Sequence, residues 1–453
     1  MASSTDEHEL PPQPTDTPPR QGFGPWMSMA MVVGTLIGSG IFLMPSVLAP
    51  YGPNIPFAWA ISISGTFCIA FSMAQLAKCI PGGPVVYITR AFGDLPAFIA
   101  VWGYLLTIWG GMAAVALAIA GALAYVFPAI STTGGIFGVS AGSIFALMVI
   151  NLIGIRTAGR VQVTATLIKL IPLVLVLLFL LSRVGTGTPL EALTPTPLSV
   201  GGILAAASLT LFSLTGFEVG AITAPVTENA ERNVPRAQVW GVAFTGLLYL
   251  AVTMAVLWIL PSDVAAESKA PFADAITPIL GTAAGTFVAI IVAISAFGAN
   301  NALLLAGGEI IHSIARQGDV PPIFRLLSAK GVPAASIIFS TGVSILFLWF
   351  SSAPSFVQIY AFVALVSAIG ALILYSLCAA AALRLKLTGG GVGTLLAVVG
   401  VIYSIGMFFG AGWKATAFGL VFALAGLPIR WVSRRRWPSH QAEAIPGRSN
   451  GAD

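Results

Sequence analysis

Gly34-Thr-Leu-Ile-Gly-Ser-Gly-Ile-Phe42 near the N-terminus and Leu211-Phe-Ser-Leu-Thr-Gly-Phe-Glu218 at mid-chain are glycine-containing breaks inside apolar segments of membrane length. A continuous helix satisfies its own backbone in lipid, so a helix is interrupted only where the freed N–H and C=O groups face protein, water or a ligand. Matching breaks in the two halves of a chain are typical of a transport site near the middle of the bilayer. The pair of breaks therefore predicts a substrate site.

The glycines of the first break favour binding of an anion. Gly38 and Gly40 allow close backbone approach, and the half-helix that begins there would direct its N-terminal amides and positive dipole end at a carboxylate. An ammonium group would face the carbonyls that end the preceding half-helix. The competing interpretation is a helix-packing face, because small residues let membrane helices approach closely. The second break at mid-chain favours the site.

The composition places the chain in a membrane. Hydrophobic residues make up 57% of its 453 residues and charged residues only 8%, and the mean hydropathy is +0.94, values that a soluble fold of this length would not show. Segments of about 20 apolar residues cross the bilayer core. The sequence therefore predicts an all-α integral membrane protein of twelve transmembrane helices, at 26–50, 54–78, 96–127, 137–155, 161–183, 200–225, 236–260, 276–312, 333–352, 355–384, 391–409 and 412–432.

The positive charges predict the orientation of these helices. If the N-terminus is cytoplasmic, the loops after the even-numbered spans and both tails hold seventeen Lys and Arg residues, and only Arg183, Lys269 and Lys414 fall outside this set. This asymmetry predicts that both termini are cytoplasmic and that the protein is a multi-pass protein of the cell membrane. The net charge of +5 then reflects topology, and no basic domain or motif indicates a nucleic-acid partner.

The segments outside the spans carry little chemistry. Residues 1–25 and 433–453 are polar, and we expect both to be cytoplasmic tails, the first of them disordered. The three cysteines, Cys68, Cys79 and Cys378, lack metal-ligand spacing and are expected to pack as small hydrophobic residues. Without a phosphate-binding loop, a metal cluster or a nucleophile–base pair, the sequence predicts no enzyme activity, no metal and no cofactor.

Ionisable residues inside spans are costly, so each one is a functional candidate. Glu218 directly follows the second break and could carry a proton, or it could form a structural hydrogen bond to unwound backbone. Glu309 and His312 share a helical face near the cytoplasmic end, with Arg316 close by, which favours a salt bridge or a gate-supporting role. Lys169 lies about nine residues into the fifth span, where burial disfavours its charged form.

Five ordered motifs resemble the amino acid–polyamine–organocation superfamily. They extend from the first span to the loop after the eighth span, and the spacing agrees from about residue 26 to 432. The branch that the chain resembles is that of the basic amino acid and polyamine antiporters, which includes the bacterial arginine/agmatine antiporter. The motifs are Gly38–Pro45, Pro81–Pro84 with Tyr87, Phe212–Glu218, Asn229–Arg236 and Gly318–Phe324.

This resemblance implies a LeuT-like fold of two inverted five-helix repeats, at about 26–183 and 200–384, with helices 1 and 6 broken and peripheral helices at 391–432. It also implies how a substrate binds. The α-carboxylate would bind the amides of Ser39 and Gly40, with the Ser39 hydroxyl available, and the ammonium would bind the carbonyls of Leu36, Phe212 and Thr215. Phe212 would be an aromatic lid in place of the antiporter's Trp, while Ser367 and Tyr375 would line the pathway.

Two departures leave the substrate side chain open. Gly111 stands where the antiporter has an amide for the guanidinium group, and Ala302 stands where it has a large aromatic residue. Asn300 and Asn301 could supply other polar contacts. Lys169 stands where sodium-coupled relatives bind a cation, and it could act as a fixed ammonium or exchange a proton.

The sequence thus predicts a secondary active transporter of an α-amino acid that works by alternating access, as an antiporter or a proton-coupled permease. The substrate could be exchanged for a second amino acid or amine, and protons and the lipid bilayer are the other expected partners. A homodimer is a further candidate assembly. The alternatives are an exporter of neutral amino acids, a polyamine carrier, or an amino-acid sensor that binds without transport.

Overall fold

The structure is a computed structural model that describes residues 24–38, 40–80, 83–153, 158–222, 227–328, 330–350 and 355–437, apart from the side chains of 158–167 and 222. Within these ranges the chain is helical and forms no β-strand. Both predicted tails lie almost entirely outside the described residues. The α-helices of the described ranges are α1 (Pro25–Leu36), α2 (Gly40–Leu48), α3 (Asn54–Cys79), α4 (Pro84–Phe92), α5 (Asp94–Val126), α6 (Thr133–Ile153), α7 (Ala158–Gly185), α8 (Val200–Ser213), α9 (Val219–Ile222), α10 (Ala230–Ile259), α11 (Ser262–Glu267), α12 (Pro271–Leu280), α13 (Thr282–Arg316), α14 (Ala334–Phe350), α15 (Phe356–Arg384), α16 (Gly391–Gly410) and α17 (Gly412–Arg436).

Nine helices of the described ranges are long and apolar enough to cross a membrane. They correspond to nine of the twelve predicted spans, namely α3, α5, α6, α7, α10, α13, α15, α16 and α17. Helices α1 and α2, which meet at an angle of 43° across the first break, would form a tenth span together. The two remaining predicted spans coincide with the shorter apolar helices α8 and α14, so a total of twelve stays a prediction.

The boundaries of two predicted elements are wrong. The window 276–312 spans parts of two helices, because Gly281 has a φ of 82° and separates the short α12 from α13. A left-handed glycine is a common end of a helix. The twelfth predicted span, 412–432, ends too early, since α17 continues to Arg436.

Helix α5 lies at the centre of the bundle and packs against α13 and α15. Its small residues let α15 approach closely: a Cβ placed on Gly110 would lie 3.1 Å from Ser367 Cβ and 3.2 Å from the Val363 carbonyl oxygen. Small residues at such contacts are typical of helix packing in membranes. The contact brings the middle of α15 to the level of the two breaks.

Charged residues collect at the two ends of α5. Near its start, Asp319 Oδ1 accepts hydrogen bonds from Arg430 Nε at 2.9 Å and Arg434 Nε at 2.7 Å, and the Arg430 guanidinium lies 5.0 Å from the centroid of the Phe98 ring. Beyond the end of α5, Lys269 Nζ donates to the Ser131 carbonyl at 2.9 Å. Arg430 and Lys269 therefore lie at opposite ends of the bundle, and the end that faces the cytoplasm stays a prediction.

Cysteine labelling should reveal this orientation. In a background with Cys68, Cys79 and Cys378 replaced by alanine, we expect single cysteines at positions 160 and 325 to react only after the cells are permeabilised. A cysteine at Glu267, which is exposed, should react in sealed cells with a membrane-impermeant maleimide. Labelling of positions 160 and 325 in sealed cells would overturn the orientation.

Candidate substrate site

The first break lies between Leu36 and Gly40 and is fixed by two tyrosines. Tyr249 donates to the Leu36 carbonyl at 2.6 Å, and that oxygen also accepts the Gly38 N–H at 2.6 Å. Tyr360 donates to the Gly40 carbonyl at 3.1 Å. The bonds to Leu36 satisfy a carbonyl that the interruption of the helix removes from the regular pattern. The bond to Gly40 ties the start of α2 to α15.

The described residues include Leu36 and Gly40 of the predicted substrate ligands at this break. Ser39, predicted to bind the carboxylate, lies outside the described residues. The Leu36 carbonyl already accepts two hydrogen bonds, the usual capacity of such an oxygen. A substrate ammonium at Leu36 would therefore compete with Tyr249 or with the Gly38 amide.

The second break follows Ser213 and depends on Gly216. Gly216 has a φ of 115°, a conformation that residues other than glycine rarely adopt. Its N–H donates to Glu218 Oε2 at 3.1 Å. Within this turn the Phe212 carbonyl accepts the Thr215 hydroxyl at 2.8 Å, so this predicted ammonium acceptor is also engaged inside the break.

The two breaks face each other. A Cβ on Gly216 would lie 3.0 Å from Thr35 Cγ2. A Cβ on Gly40 would lie 3.1 Å from Ser213 Oγ and 3.2 Å from Phe212 Cε1. The structure thus brings together Gly40, Phe212 and the turn at Gly216, as the sequence predicts, and only glycine fits at Gly40 without a shift of its neighbours.

Glu218, which directly follows the second break, is the buried acceptor of a hydrogen-bond network. It is 1% exposed, and Tyr375 donates to its Oε2 at 2.6 Å. Tyr104 donates to its Oε1, and Gly216 supplies the amide. The sequence marked Glu218 as a functional candidate, and the family resemblance implied that Tyr375 lines the pathway. Tyr104 was missed, although a tyrosine hydroxyl in the mostly apolar α5 was an available signal.

Phe212 packs at the edge of the site with a second aromatic residue. The ring centroids of Phe212 and Tyr360 are 6.2 Å apart with an interplanar angle of 83°, an edge-to-face contact. Phe212 is 7% exposed. The position suits the predicted lid, and Tyr360, which was not predicted, supports it from α15.

The predicted pathway residue Ser367 faces α5. Its hydroxyl donates to the Thr107 carbonyl at 2.8 Å. A Cβ on Gly111 would lie 3.5 Å from Ser367 Oγ and 3.4 Å from Leu303 Cδ1. Ala302 is exposed on α13. The surroundings of Gly111 thus combine one engaged hydroxyl with an apolar side chain.

Of the two asparagines near Ala302, Asn301 forms a hydrogen bond to another helix. Its Oδ1 accepts Asn151 Nδ2 of α6 at 2.7 Å. Asn300 is fully buried. The amide oxygen of Asn301 is therefore bonded to α6, and the polar substrate contacts that the sequence suggested for these asparagines stay a prediction.

Lys169 is buried in α7, which packs against α13, α10 and α1. Its exposed fraction is 1%. This burial argues against a lysine that extends to the membrane interface, because such a side chain keeps its ammonium in water. A fixed internal cation or a proton-exchanging amine both suit the position.

Glu309 and His312 do not form the expected cluster. His312 Nδ1 lies 2.9 Å from the Phe324 carbonyl oxygen, so its ring is turned toward the loop after α13. Glu309 is exposed and has no ion pair among the described residues. The predicted salt bridge is therefore absent from this part of the chain.

The residues around the site differ in exposure. On the side of α12, Phe42 of α2 packs edge-to-face on Phe272, with centroids 5.3 Å apart, and both side chains are buried. Thr35, Tyr104 and Thr215 are half-buried.

Comparison with known proteins supplies the family. The amino acid permease family profile matches residues 23–437. The chain belongs to this family. It is accordingly a member of the amino acid–polyamine–organocation superfamily and a multi-pass membrane protein, and its function is that of a secondary amino-acid transporter. Both the family and the relatives are transporters rather than enzymes.

Three relatives illustrate the range of the family. A Bacillus subtilis protein provisionally named an arginine/ornithine antiporter is 28% identical over 72% of this chain and 76% of its own length. The cadaverine/lysine antiporter of Escherichia coli K12 is 27% identical over 68% of this chain and 70% of its own. A serine/threonine exchanger of Bacillus subtilis is 24% identical over 92% of this chain and 98% of its own.

Proposed function

We propose that this permease is an antiporter, which moves an α-amino acid across the cell membrane by alternating access and returns a second amino acid or amine. The observation that carries the proposal is the contact between the two breaks, where Gly40 meets Phe212 and Gly216 meets Thr35. Breaks in corresponding halves of a transporter bring helix ends of opposite polarity to one substrate. All three relatives described above are named as antiporters or exchangers.

The substrate would lie between the two breaks. Its carboxylate would approach the N-terminal end of α2 at Ser39 and Gly40, where backbone N–H groups and the helix dipole favour negative charge. Its ammonium would bind carbonyls of Leu36, Phe212 and Thr215, in part by replacing the hydrogen bonds that Leu36 and Phe212 now accept. Phe212 would close over the bound amino acid.

Neutral amino acids fit the described site better than dibasic ones. Leu303 lies beside Gly111, and the Ser367 hydroxyl is directed to the Thr107 carbonyl. The buried carboxylate of Glu218 accepts three hydrogen bonds from Tyr104, Tyr375 and an amide, so its lone pairs are largely occupied. A long cationic side chain would find no uncommitted buried carboxylate here.

The conformation suits the inward-facing stage of a transport cycle. Phe42 packs on Phe272 on the side of α12, and Thr35 and Thr215 are half-buried. Lys169 would supply the internal positive charge that a bound sodium ion supplies in other transporters. A second candidate, proton-coupled uptake, is favoured by the buried carboxylate of Glu218.

Counterflow in proteoliposomes tests the proposal. We expect vesicles preloaded with a neutral amino acid to accumulate the same radiolabelled amino acid without sodium, and arginine and agmatine to compete poorly because Gly111 and Ala302 offer no groups for a guanidinium. The screen should cover all amino acids and common polyamines at two pH values. Empty liposomes and Gly40→Val vesicles serve as controls.

Each alternative gives a distinct outcome in the same assay. Binding without counterflow would indicate a sensor, and uptake driven by a proton gradient into empty vesicles would favour the permease. Strong inhibition by agmatine would contradict the assignment of a neutral substrate. Strict sodium dependence would contradict the role of Lys169.

A further inference from the structure

The hydroxyl of Ser213 is a buried polar group that its own helix leaves unsatisfied. Ser213 is 3% exposed, and its Oγ has no hydrogen-bond partner among the described residues. Other hydroxyls of α8 bond to carbonyls of their own helix, Ser208 to Leu204 at 3.0 Å and Thr210 to Ala207 at 3.0 Å. A buried hydroxyl without a partner carries a substantial free-energy cost, so Ser213 needs an explanation.

The position of this hydroxyl supplies one. Ser213 is the last residue of α8, and its Oγ would lie 3.1 Å from a Cβ placed on Gly40. Gly40 begins the nine-residue helix α2. The free hydroxyl is thus directed at the N-terminal end of a helix, where the backbone dipoles favour an anion and disfavour an ammonium group.

We propose that Ser213 donates a hydrogen bond to the α-carboxylate of the substrate and that this bond makes the transporter distinguish α-amino acids from the amines that lack a carboxylate. The inference deepens the proposed function and rests on its placement of the substrate between the breaks. A hydroxyl can donate or accept a hydrogen bond, whereas an ionised carboxylate only accepts, so the Ser213 hydroxyl must be the donor. The substrate carboxylate then accepts the hydrogen bond that the Ser213 hydroxyl does not make within the described protein. An amine without a carboxylate offers no such acceptor.

The energetic consequence is specific to one part of the substrate. A hydrogen bond from a neutral group to a charged one changes affinity by roughly 10- to 100-fold in a buried site. Removal of the Ser213 hydroxyl should therefore weaken every α-amino acid that binds, whatever its side chain. It should leave the matching amine unaffected, because that ligand makes no contact through a carboxylate.

Binding measurements on the full-length protein in nanodiscs test this inference. The probes are three neutral amino acids and their decarboxylated amines: L-serine with ethanolamine, L-alanine with ethylamine, and L-leucine with isoamylamine. Affinities are measured by calorimetry for the parent, for Ser213→Ala and for the matched control Ser208→Ala. We expect Ser213→Ala to weaken binding of the amino acids by roughly 10- to 100-fold and to leave binding of the amines unchanged. The ligand-free melting temperature should not fall, because the substitution removes an unsatisfied buried hydroxyl and breaks no hydrogen bond.

The control separates recognition from structure. Ser208 is also a serine of α8, but its hydroxyl donates a hydrogen bond to the Met407 carbonyl at 3.0 Å. Ser208→Ala should therefore lower the melting temperature and preserve the affinities for amino acids and amines. Unchanged amino-acid affinity in Ser213→Ala, or an equal loss for an amino acid and its amine, would overturn the role of Ser213. Normal binding without counterflow would overturn antiport alone, and a parent protein that binds no amino acid would overturn both proposals.

Discussion

Replacing Gly40 by valine is expected to abolish counterflow and to weaken amino-acid binding more than 100-fold. A Cβ at this position would lie 3.1 Å from Ser213 Oγ, 3.2 Å from Phe212 Cε1 and 3.3 Å from Ser213 Cα. Ser213 Cα is a backbone atom and could shift only if the end of α8 moved, and the branched side chain of valine adds two further methyl groups. Because α2 and α8 meet at this point, the substitution would push the two breaks apart.

Two control substitutions make the experiment specific. Gly406→Val on α16 and Gly342→Val on α14 each add a side chain at a position where a Cβ meets no atom within 4 Å. Both variants should retain binding within a few-fold, as measured by calorimetry, and should reach the membrane in normal amounts. Wild-type flux in Gly40→Val would contradict the placement of the carboxylate at the first break.

The breaks were predictable because their signals are local. Gly38, Gly40 and Gly216 interrupt apolar runs that would otherwise form continuous helices, and interruption in lipid has few physical explanations. Burial of Glu218 follows from the same reasoning, since an ionisable residue in a span must face the protein interior. The structure places Gly40 against α8, and Gly216 against Thr35 of α1, as this argument requires.

The partners of these residues could not be predicted from the sequence alone. Tyr104 lies 114 positions from Glu218, and Tyr360 lies 320 positions from Gly40, so each pairing depends on how the helices cross. Asn301 illustrates the same limit, since adjacency to Ala302 suggested the pocket and the fold directs it to Asn151. The hydrophobic pattern also did not predict the helix end at Gly281, whose left-handed backbone divides an apolar run into α12 and α13.

Substitution of Glu218 is expected to have the second large effect, on transport more than on substrate binding. Glu218 joins the turn of the second break to α5 through Tyr104 and to α15 through Tyr375. Glu218→Ala would leave the half-buried Tyr104 hydroxyl, the buried Tyr375 hydroxyl and the Gly216 amide without their acceptor, and a buried group left unsatisfied costs about 1–3 kcal/mol. We expect this variant to lose counterflow and to melt at a lower temperature.

Glu218→Gln separates the charge from the shape. Glutamine keeps one acceptor oxygen and replaces the other by an NH2 group, so at most one of Tyr104 and Tyr375 can keep its present bond while the other must rotate its hydroxyl to accept. We expect a folded protein with counterflow reduced at least tenfold and with substrate affinity, measured by calorimetry, within a few-fold of the parent. That division is the signature of a residue that joins moving helices without touching the substrate.

Substitution of either tyrosine by phenylalanine removes only one hydrogen bond to Glu218. Tyr104→Phe and Tyr375→Phe should each slow counterflow less than Glu218→Gln, and combining either with Glu218→Gln should add less than the sum of the single effects, since the changes act on one network. Tyr87→Phe is the matched control, because the buried Tyr87 hydroxyl has no hydrogen-bond partner in the described part of the chain. Full additivity, or a loss of affinity as large as the loss of flux, would place Glu218 outside the conformational step and leave it with a structural or substrate-binding role.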